Sequence, residues 1–170
     1  MDQLEILEFV PQTKEEDMNR LLPAFLGIWN DPQNLKFLSF TLRPFEEETV
    51  RSWFSMHLSS GGRYFCAVDR DGNILGISAY RLDPINGVEA LGVGVLPSSK
   101  RQGIGTMLTR NLLRQAKTDG FLSIDVKVFA DNVIMLRLLL GLGFIPTRME
   151  HSKRADGADL VFLRKTLSDI

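Results

Sequence analysis

A single string, VLPSSKRQGIGT over residues 95–106, limits what this chain can fold into more than any other feature, because it follows a predicted strand and precedes a predicted helix. Gly103 and Gly105 carry no side chain where the helix begins, so the backbone there can lie close to a ligand. The first N–H groups of a helix have no partner inside it and lie at the positive end of its dipole. Together with Lys100 and Arg101, they predict a pyrophosphate-binding turn.

Two better-known phosphate-binding patterns do not fit this string. The P-loop pattern G-x-x-x-x-G-K-[ST] does not occur in the chain. The dinucleotide fingerprint G-x-G-x-x-G fails because Leu108 occupies the position of the third glycine. A G-x-G pair before a helix is also typical of a simple tight turn, so the string alone leaves ligand binding open.

Hydrophobic periodicity and turn residues predict a single α/β domain of the α+β type over residues 1–170. Antiparallel hairpins come first, and a strand–helix–strand unit fills the second half. Pro23 lies inside the first helical pattern and predicts a kink or a late start, and residues 31–44 look irregular. The predicted strands cover residues 4–10, 64–68, 74–81, 88–96, 124–128 and 160–163, and the predicted helices 14–29, 45–58, 106–119 and 132–140.

The number and distribution of charged residues limit which kinds of binding partner are expected. The net charge of -1 lacks the basic excess that is usual in a nucleic-acid-binding protein. Residues 1–85 carry 8 basic and 13 acidic side chains, whereas residues 86–170 carry 12 and 8. Two interpretations stay open. The second half binds an anion, or the charges of two solvated surfaces are divided unevenly between the halves by chance.

A few residues indicate in which compartment the protein lies and whether it has a membrane partner. Cys66 is the only cysteine, so no internal disulfide can form. The N-terminal residues are acidic and lack the basic region of a secretory signal. The longest nearly apolar stretch, residues 135–145, contains Arg137 and is too short to span a bilayer. We therefore expect a soluble cytoplasmic protein without a membrane partner.

Two motifs in this order resemble a known family. Val95 to Gly105, V-x-P-x-x-K-R-Q-G-I-G, resembles the acetyl-CoA-binding motif R/Q-x-x-G-x-G/A of the GNAT superfamily, the GCN5-related N-acetyltransferases. Asn132, Leu138, Gly143 and Phe144 match that family's second motif, N-x-x-A-x-x-L-Y-x-K-x-G-F. The resemblance covers residues 4–167. It implies a mixed, mostly antiparallel sheet that is splayed at a central parallel strand pair and flanked by about four helices.

The resemblance assigns the cofactor contacts residue by residue. Backbone N–H groups of Gln102, Gly103, Ile104, Gly105 and Thr106 would bind the CoA pyrophosphate. The main chain of Val93 and Val95 would pair with the pantetheine arm, and Asn132 would hydrogen-bond the pantetheine or the region of the sulfur. Lys100, beside Arg101, stands where Arg or Gln is usual, which keeps the charge but loses the planar fork. Gly92 and Gly94 fit a bulge or a close backbone approach.

The resemblance indicates the catalytic residues less directly than the cofactor contacts. Leu139 stands where many members carry a Tyr that protonates the leaving thiolate, and Gly141 replaces the usual Lys. Glu89 is the candidate base because it lies fourteen residues before Gly103, with the same strand parity as Val93 and Val95. A solvated strand start is the alternative for Glu89. Tyr80, on the neighbouring strand, is the candidate acid, with core packing as its alternative.

The function that the resemblance implies is an acyltransferase. It would be an acetyl-CoA-dependent N-acetyltransferase acting on a primary amine of a small molecule or peptide, by direct attack in a ternary complex. A catalytically degenerate CoA-binding regulatory module and a nucleotide-binding domain are the alternatives. The acids Glu46 to Glu48 would favour a cationic acceptor or simply cap a helix. His57 and His151 lack metal-ligand spacing and are predicted at the surface, although His57 also suits an acceptor cleft. No metal is expected, and a homodimer is left open.

Overall fold

The computed structural model describes residues 4–9, 15–83 and 87–168. Their strands form one seven-stranded sheet in the order β1-β2-β3-β4-β5-β7-β6, with the helices on its two faces. This confirms the predicted mixed, mostly antiparallel α+β fold. The elements are β1 (Glu5–Phe9), α1 (Glu15–Trp29), α2 (Pro32–Leu38), α3 (Glu47–Ser59), β2 (Arg63–Val68), β3 (Ile74–Asp83), β4 (Gly87–Val95), α4 (Ile104–Thr118), β5 (Ser123–Phe129), α5 (Val133–Gly141), β6 (Ile145–Glu150) and β7 (Leu160–Thr166).

The first helix spans nearly the range that its periodicity predicts. Helix α1 continues through Pro23, so the predicted late start is wrong. Leu21, Ile28 and Trp29 are buried on its inner face, and this burial outweighs the hydrogen bond that a proline removes.

Helix α2 occupies a segment that was predicted to be irregular. The Asp31 side chain caps it by accepting a hydrogen bond from the Gln33 N–H at 3.0 Å, and Pro32 occupies the first turn. Both are established helix-start signals. The prediction missed them because only seven residues follow, too few to show a helical period.

The sheet opens between its two parallel strands. Strands β4 and β5 pair only at Glu89 with Asp125 and at Ala90 with Val126. All other neighbouring strands are antiparallel. Beyond these two pairs the edges separate, as predicted, and we call this separation the β4–β5 gap.

A bulge in β4 lies at the start of the gap. Ala79 pairs with Gly92 and Tyr80 pairs with Ala90, so Leu91 is the extra residue. Gly92 has φ +148, which suits glycine. A Cβ at Gly94 would lie 2.6 Å from Ile28 Cγ2 and 2.7 Å from Trp29, so only glycine lets α1 pack this closely. The predicted bulge and close approach are both observed.

Two cores enclose the sheet. One packs α4 against the sheet around Leu108, Leu112 and Ile124. The other lies beneath α1 and α3 and includes Cys66, which is fully buried. Burial raises the pKa of the Cys66 thiol to about 12, so it is an inert core residue. Within the described ranges, no helix is long and apolar enough to cross a bilayer.

Candidate active site

The N-terminus of α4 points its free amides at one end of the β4–β5 gap. Gly103 is the N-cap, has φ +80 and carries no capping side chain. The first backbone bond of the helix runs from the Met107 N–H to the Gly103 oxygen at 2.9 Å. The N–H groups of Ile104, Gly105 and Thr106 therefore have no partner within the helix. A Cβ at Gly103 would meet nothing within 4 Å, so the space beside this N-cap residue is open.

A cavity of about 520 Å³, the cofactor cavity, extends from these amides into the gap. Most of the predicted cofactor residues line it: Val93, Val95, Lys100, Arg101, Gly103, Ile104, Gly105, Thr106 and Asn132. Gln102 does not line it, and its Nε2 donates to the Ser98 oxygen at 3.5 Å instead. The Lys100 ammonium donates to Gln33 Oε1 at 3.2 Å, which ties the loop to α2.

The open edge of β4 offers main-chain groups to this cavity. The Leu96 N–H donates to the Leu75 oxygen on β3, and the edge that amides face alternates along a strand. Val93 and Val95 therefore present their N–H and C=O groups to the gap. Asn34 Nδ2, however, donates to the Val95 oxygen at 2.9 Å, so that acceptor is already occupied.

Asn34 is a site residue that sequence reasoning missed. It is buried, and its Nδ2 also donates to the Ile28 oxygen at 2.8 Å. One side chain thus joins α1, α2 and the end of β4. A lone asparagine in a seven-residue helix gives no sequence signal for such a role.

The second motif forms the opposite wall of the cofactor cavity. Asn132 caps α5 by accepting from the Met135 N–H at 3.2 Å through Oδ1. Leu139 lines the same wall and is buried. A hydrocarbon side chain therefore occupies the position where the family motif carries a tyrosine, and it supplies no proton.

A second cavity of about 820 Å³, the acceptor cleft, lies on the other face of the sheet under α1 and α3. Its walls include eight aromatic side chains, among them Phe25, Trp29, Phe45, Trp53 and Tyr64. Phe37, Leu38, Ala90, Gly92 and Lys127 line both cavities. The cofactor cavity and the acceptor cleft therefore meet at the β4–β5 gap.

Glu89 lies at the inner end of the acceptor cleft. It is 6% exposed, so the alternative of a solvated strand start is wrong. Its Oε2 accepts from Arg81 at 2.7 Å and its Oε1 pairs with Lys127 at 2.6 Å. Cross-strand partners share a face, and Arg81 is the partner of Glu89.

The β4 bulge overturns the predicted parity of Glu89. Glu89 and Leu91 line the acceptor cleft, whereas Val93 and Val95 pack with the core under α4. One inserted residue reverses which side chains share a face. Glu89 is consequently on the opposite face from Val93 and Val95.

The structure does not bring Tyr80 together with Glu89. Tyr80 pairs with Ala90, so it shares the α4 face with that residue. Its ring is 1% exposed in the core, and its hydroxyl donates to the Asp119 carboxylate. Burial, together with that hydrogen bond, raises the pKa of Tyr80. Tyr80 lines neither cavity.

His57 faces the acceptor cleft rather than the surface. It is buried near the end of α3, and its Nδ1 lies 2.8 Å from the Tyr64 hydroxyl. Burial is the main cause that lowers the pKa of His57, and Arg81 adds to it. The imidazole is therefore neutral near pH 7.

Arg154 connects the walls of both cavities. Its guanidinium, nearly fully buried, pairs with Asp131 and Asp156 at 2.7 Å each and donates to the Lys36 oxygen at 2.9 Å. Hydrogen bonds from Arg154 and Lys36 hold the pKa of Asp131 at about 2. Asp131 precedes α5 and Lys36 belongs to α2, so one arginine fixes both across the gap.

A sheet that opens between two parallel strands, with free helix amides at the opening, has a shape and donors that suit an extended phosphate-bearing ligand. A family model described as "Acetyltransferase (GNAT) family" matches residues 25–144. The chain belongs to this family of acetyltransferases, which confirms the resemblance drawn from its motifs. No curated protein matches the chain.

Solved structures share the fold at low sequence identity. An N-acetyltransferase from Staphylococcus aureus Mu50 is 21% identical with a TM-score of 0.80, over 96% of this chain and 99% of that one. A putative acetyltransferase from Salmonella typhimurium, solved with its cofactor acetyl-CoA, is 19% identical with a TM-score of 0.77, over 96% and 95%. The ribosomal-protein-S18-alanine N-acetyltransferase from Escherichia coli is 20% identical with a TM-score of 0.74, over 98% and 95%.

Proposed function

We propose that the protein is an acetyl-CoA-dependent N-acetyltransferase that moves the acetyl group directly to a primary amine. The observation that carries this proposal is the meeting of the cofactor cavity and the acceptor cleft at the β4–β5 gap, where they share five residues. A thioester placed in the gap from one side would be open to attack from the other. Such placement converts a bimolecular step into a nearly unimolecular one.

The cofactor residues follow from the free groups in the cofactor cavity. The unpartnered amides of Ile104, Gly105 and Thr106 suit the pyrophosphate, with Lys100 and Arg101 adding positive charge. Both main-chain groups of Val93 and the N–H of Val95 suit the amides of the pantetheine arm. When bound, acetyl-CoA supplies an activated acetyl thioester.

The acceptor that fits the cleft is an amine on an aromatic or bulky apolar body. Trp53 and Phe45 contact edge to face at 5.4 Å between ring centres, and similar rings cover the floor. At the inner end Arg81 and Lys127 oppose the single carboxylate of Glu89. Like charge favours loss of the proton from an ammonium group. A polycation would find little compensation there.

The acidic cluster Glu46 to Glu48 supports this choice over a polycationic acceptor. Only Glu46 lines the cleft. Glu47 forms an exposed pair with Arg51 at 3.1 Å, one turn along α3. These acids lie at the start of that helix, where the helix dipole favours them.

The chemical step exchanges one bond for another. The amine nitrogen attacks the carbonyl carbon, the new C–N bond forms, and the C–S bond breaks to release the thiolate of CoA. Two protons leave the nitrogen of an ammonium substrate: one goes to a base in the cleft and one to the thiolate. Glu89 and His57 both line the cleft as candidates for that base. A thiol has a pKa of ~8.5, so water suffices as its proton donor where Leu139 offers none.

Two measurements test the proposal. Acetyl-CoA and CoA, but not ATP or NAD, are expected to raise the melting temperature. Thiol release is then followed with 2-phenylethylamine, spermidine and a short peptide as acceptors. We expect 2-phenylethylamine to give the highest kcat/KM, with the acetylated amine identified by mass. Stabilisation by ATP or NAD alone would indicate a nucleotide-binding domain instead.

A regulatory module is the second candidate, and Leu139 is the observation that favours it. Its side chain removes the proton donor that the family motif places in this wall. A module would bind acetyl-CoA tightly and release no thiol with any amine. Release with spermidine alone would keep the acetyltransferase but overturn the apolar acceptor.

A further inference from the structure

Beside the β4–β5 gap, a histidine and a tyrosine from different elements form a buried pair inside the acceptor cleft. His57 comes from the last turn of α3 and Tyr64 from β2. Their contact, Nδ1 to hydroxyl at 2.8 Å, fixes the imidazole ring. We propose that His57 is a catalytic residue that takes the proton from the acceptor amine through Nε2, while Tyr64 is a positioning residue. This inference rests on the acetyltransferase proposed above.

The geometry leaves Nε2 of His57 open to the cleft. In the described part of the chain, Nδ1 has a hydrogen-bond partner and Nε2 has none. Among the described residues, Ser78 Oγ is the one side-chain polar atom that is both fully buried and without a partner. Because Nε2 also lacks a partner, it is not fully buried, and solvent reaches it. The residue itself is only 8% exposed and lines the acceptor cleft, which is therefore the place that Nε2 meets.

The sheet register puts the pair level with the gap. Tyr64 pairs with Ala79, and Ala79 pairs with Gly92, which lines both cavities. These residues form one row across β2, β3 and β4. Two strand spacings separate Tyr64 from Gly92, roughly 10 Å in all. An amine seated over this row lies between the imidazole and the gap.

Burial, with one nearby arginine, keeps His57 neutral. Arg81 on β3 is the cation that acts on it, and Tyr64 on β2 is its hydrogen-bond partner. Glu89 on β4 and Lys127 on β5 face the same cleft, and Arg43 and Glu46 line its mouth. Burial and Arg81 lower the pKa of His57 below its ordinary 6.5, so a free lone pair exists at neutral pH.

Glu89 is less suited to the same task. Both of its oxygens hold a cation, Arg81 on Oε2 and Lys127 on Oε1. Protonation of this carboxylate removes the negative charge that pairs with both cations. His57 gives up nothing at Nε2, so the structure favours the imidazole.

The proton balance is simple. With Nδ1–H donating to the Tyr64 oxygen, Nε2 takes one proton from the bound ammonium and becomes imidazolium. The freed amine attacks the thioester, the C–S bond breaks, and the second nitrogen proton goes to the thiolate through water. The imidazolium returns its proton to solvent before the next turnover.

The pH dependence of kcat/KM tests this role, using 2-phenylethylamine or the best amine of the panel. We expect wild type to show a plateau above neutral pH and a tenfold fall per pH unit below the pKa of His57. His57→Asn keeps a polar group near the Nδ1 position but removes the base, so only amine that is already deprotonated reacts. Its kcat/KM should be ~100-fold lower at pH 7 and rise tenfold per pH unit toward the amine pKa of ~10.

Three comparisons make the test decisive. Acetyl-CoA affinity within twofold of wild type shows that His57→Asn is folded. Tyr64→Phe should keep the plateau with a lower kcat, and Glu89→Gln should keep both plateau and acidic fall. Loss of the acidic fall in Glu89→Gln, or an unchanged profile in His57→Asn, overturns the proposal. Should His57→Asn not fold, His57→Gln replaces it, and an unchanged pH profile in that variant overturns the proposal equally.

A failure of the proposed role of His57 can be distinguished from a failure of the proposed acetyltransferase activity. If wild type releases no thiol with any amine, both fall. If wild type turns over and His57→Asn does so at the same rate, only the role of His57 falls.

Discussion

The cofactor cavity and the acceptor cleft lie on two sides of one gap, yet they are assembled differently. The cofactor cavity takes its binding amides from one loop and helix start, with Gly103 as the N-cap. The acceptor cleft takes its walls from α1, α2, α3, five strands and the segment between α2 and α3. A site made of consecutive residues is visible in a sequence, whereas one made of distant residues is visible only after folding.

The two regions also differ in whether main-chain or side-chain groups dominate their lining. The main chain dominates the cofactor side, because amides bind phosphate whatever side chains surround them. Side chains dominate the acceptor side, where rings and charged groups line the cleft. The predicted effects of mutation therefore differ between the two regions, and residues that join them should affect both.

The largest effect is expected at Arg154, which holds the two regions together. Arg154→Ala removes the pairs to Asp131 and Asp156 and the bond to the Lys36 oxygen. We expect the free energy of unfolding to fall by about 3 kcal/mol, because several charged hydrogen bonds of a buried side chain are lost. Urea denaturation measures it. Arg51→Ala, which breaks an exposed pair, should cost under ~0.5 kcal/mol.

The next effect concerns the cofactor cavity alone. Gly103→Asp places a side chain and a negative charge against the helix amides, so acetyl-CoA affinity should fall at least ~100-fold, or about 2.7 kcal/mol. Gly120→Asp is a matched control at the other end of α4, since Gly120 has φ +86 and open space around a Cβ. Equilibrium binding measures both. Equal losses in the two variants would show that backbone strain, not phosphate binding, is responsible.

Gly94 tests the packing that separates the two regions. Gly94→Ala forces a methyl group to within 2.6 Å of Ile28 and 2.7 Å of Trp29. We expect a loss of about 2 kcal/mol in unfolding free energy, typical of an overpacked core. Gly27→Ala, inside α1 with nothing near its Cβ, should instead stabilise by about 0.5 kcal/mol. A neutral Gly94→Ala would mean that α1 can move away from β4.

The smallest effect belongs to the acceptor cleft. Trp53→Ala removes an aromatic wall and should raise the KM for an aromatic amine ~10-fold, about 1.4 kcal/mol. The KM for acetyl-CoA should stay the same, because Trp53 does not line the cofactor cavity. Glu48→Ala is the control, exposed on the same helix and outside the cleft. A change in the acetyl-CoA KM instead would contradict the separation of the two sites.

The sequence predicted elements with a clear apolar period or turn chemistry and missed elements without a clear period. The loop at Gly103 was predictable because glycines and helix amides act within a few residues. Strand β6 was missed because its side chains are mostly exposed and show no apolar alternation. Helix α2 was missed although Asp31 and Pro32 mark its start.

The lining of the acceptor cleft was predicted in part. Glu89 does lie at the gap, but its partners Arg81 and Lys127 come from neighbouring strands. Tyr80 was expected beside it, and the cross-strand pairing of Tyr80 with Ala90 places it on the other face. The contact of His57 with Tyr64 depends on the packing of α3 on β2, which no spacing along the chain reveals.

The meeting of the two cavities is tested most directly by a conjugate in which 2-phenylethylamine is joined to CoA through an acetyl-length linker. If the cleft and the cofactor cavity meet at the β4–β5 gap, this compound occupies both. It should inhibit competitively against acetyl-CoA and against the amine, with an inhibition constant at least ~10-fold below that of CoA. Competition against acetyl-CoA alone, with the affinity of CoA itself, would contradict the shared gap.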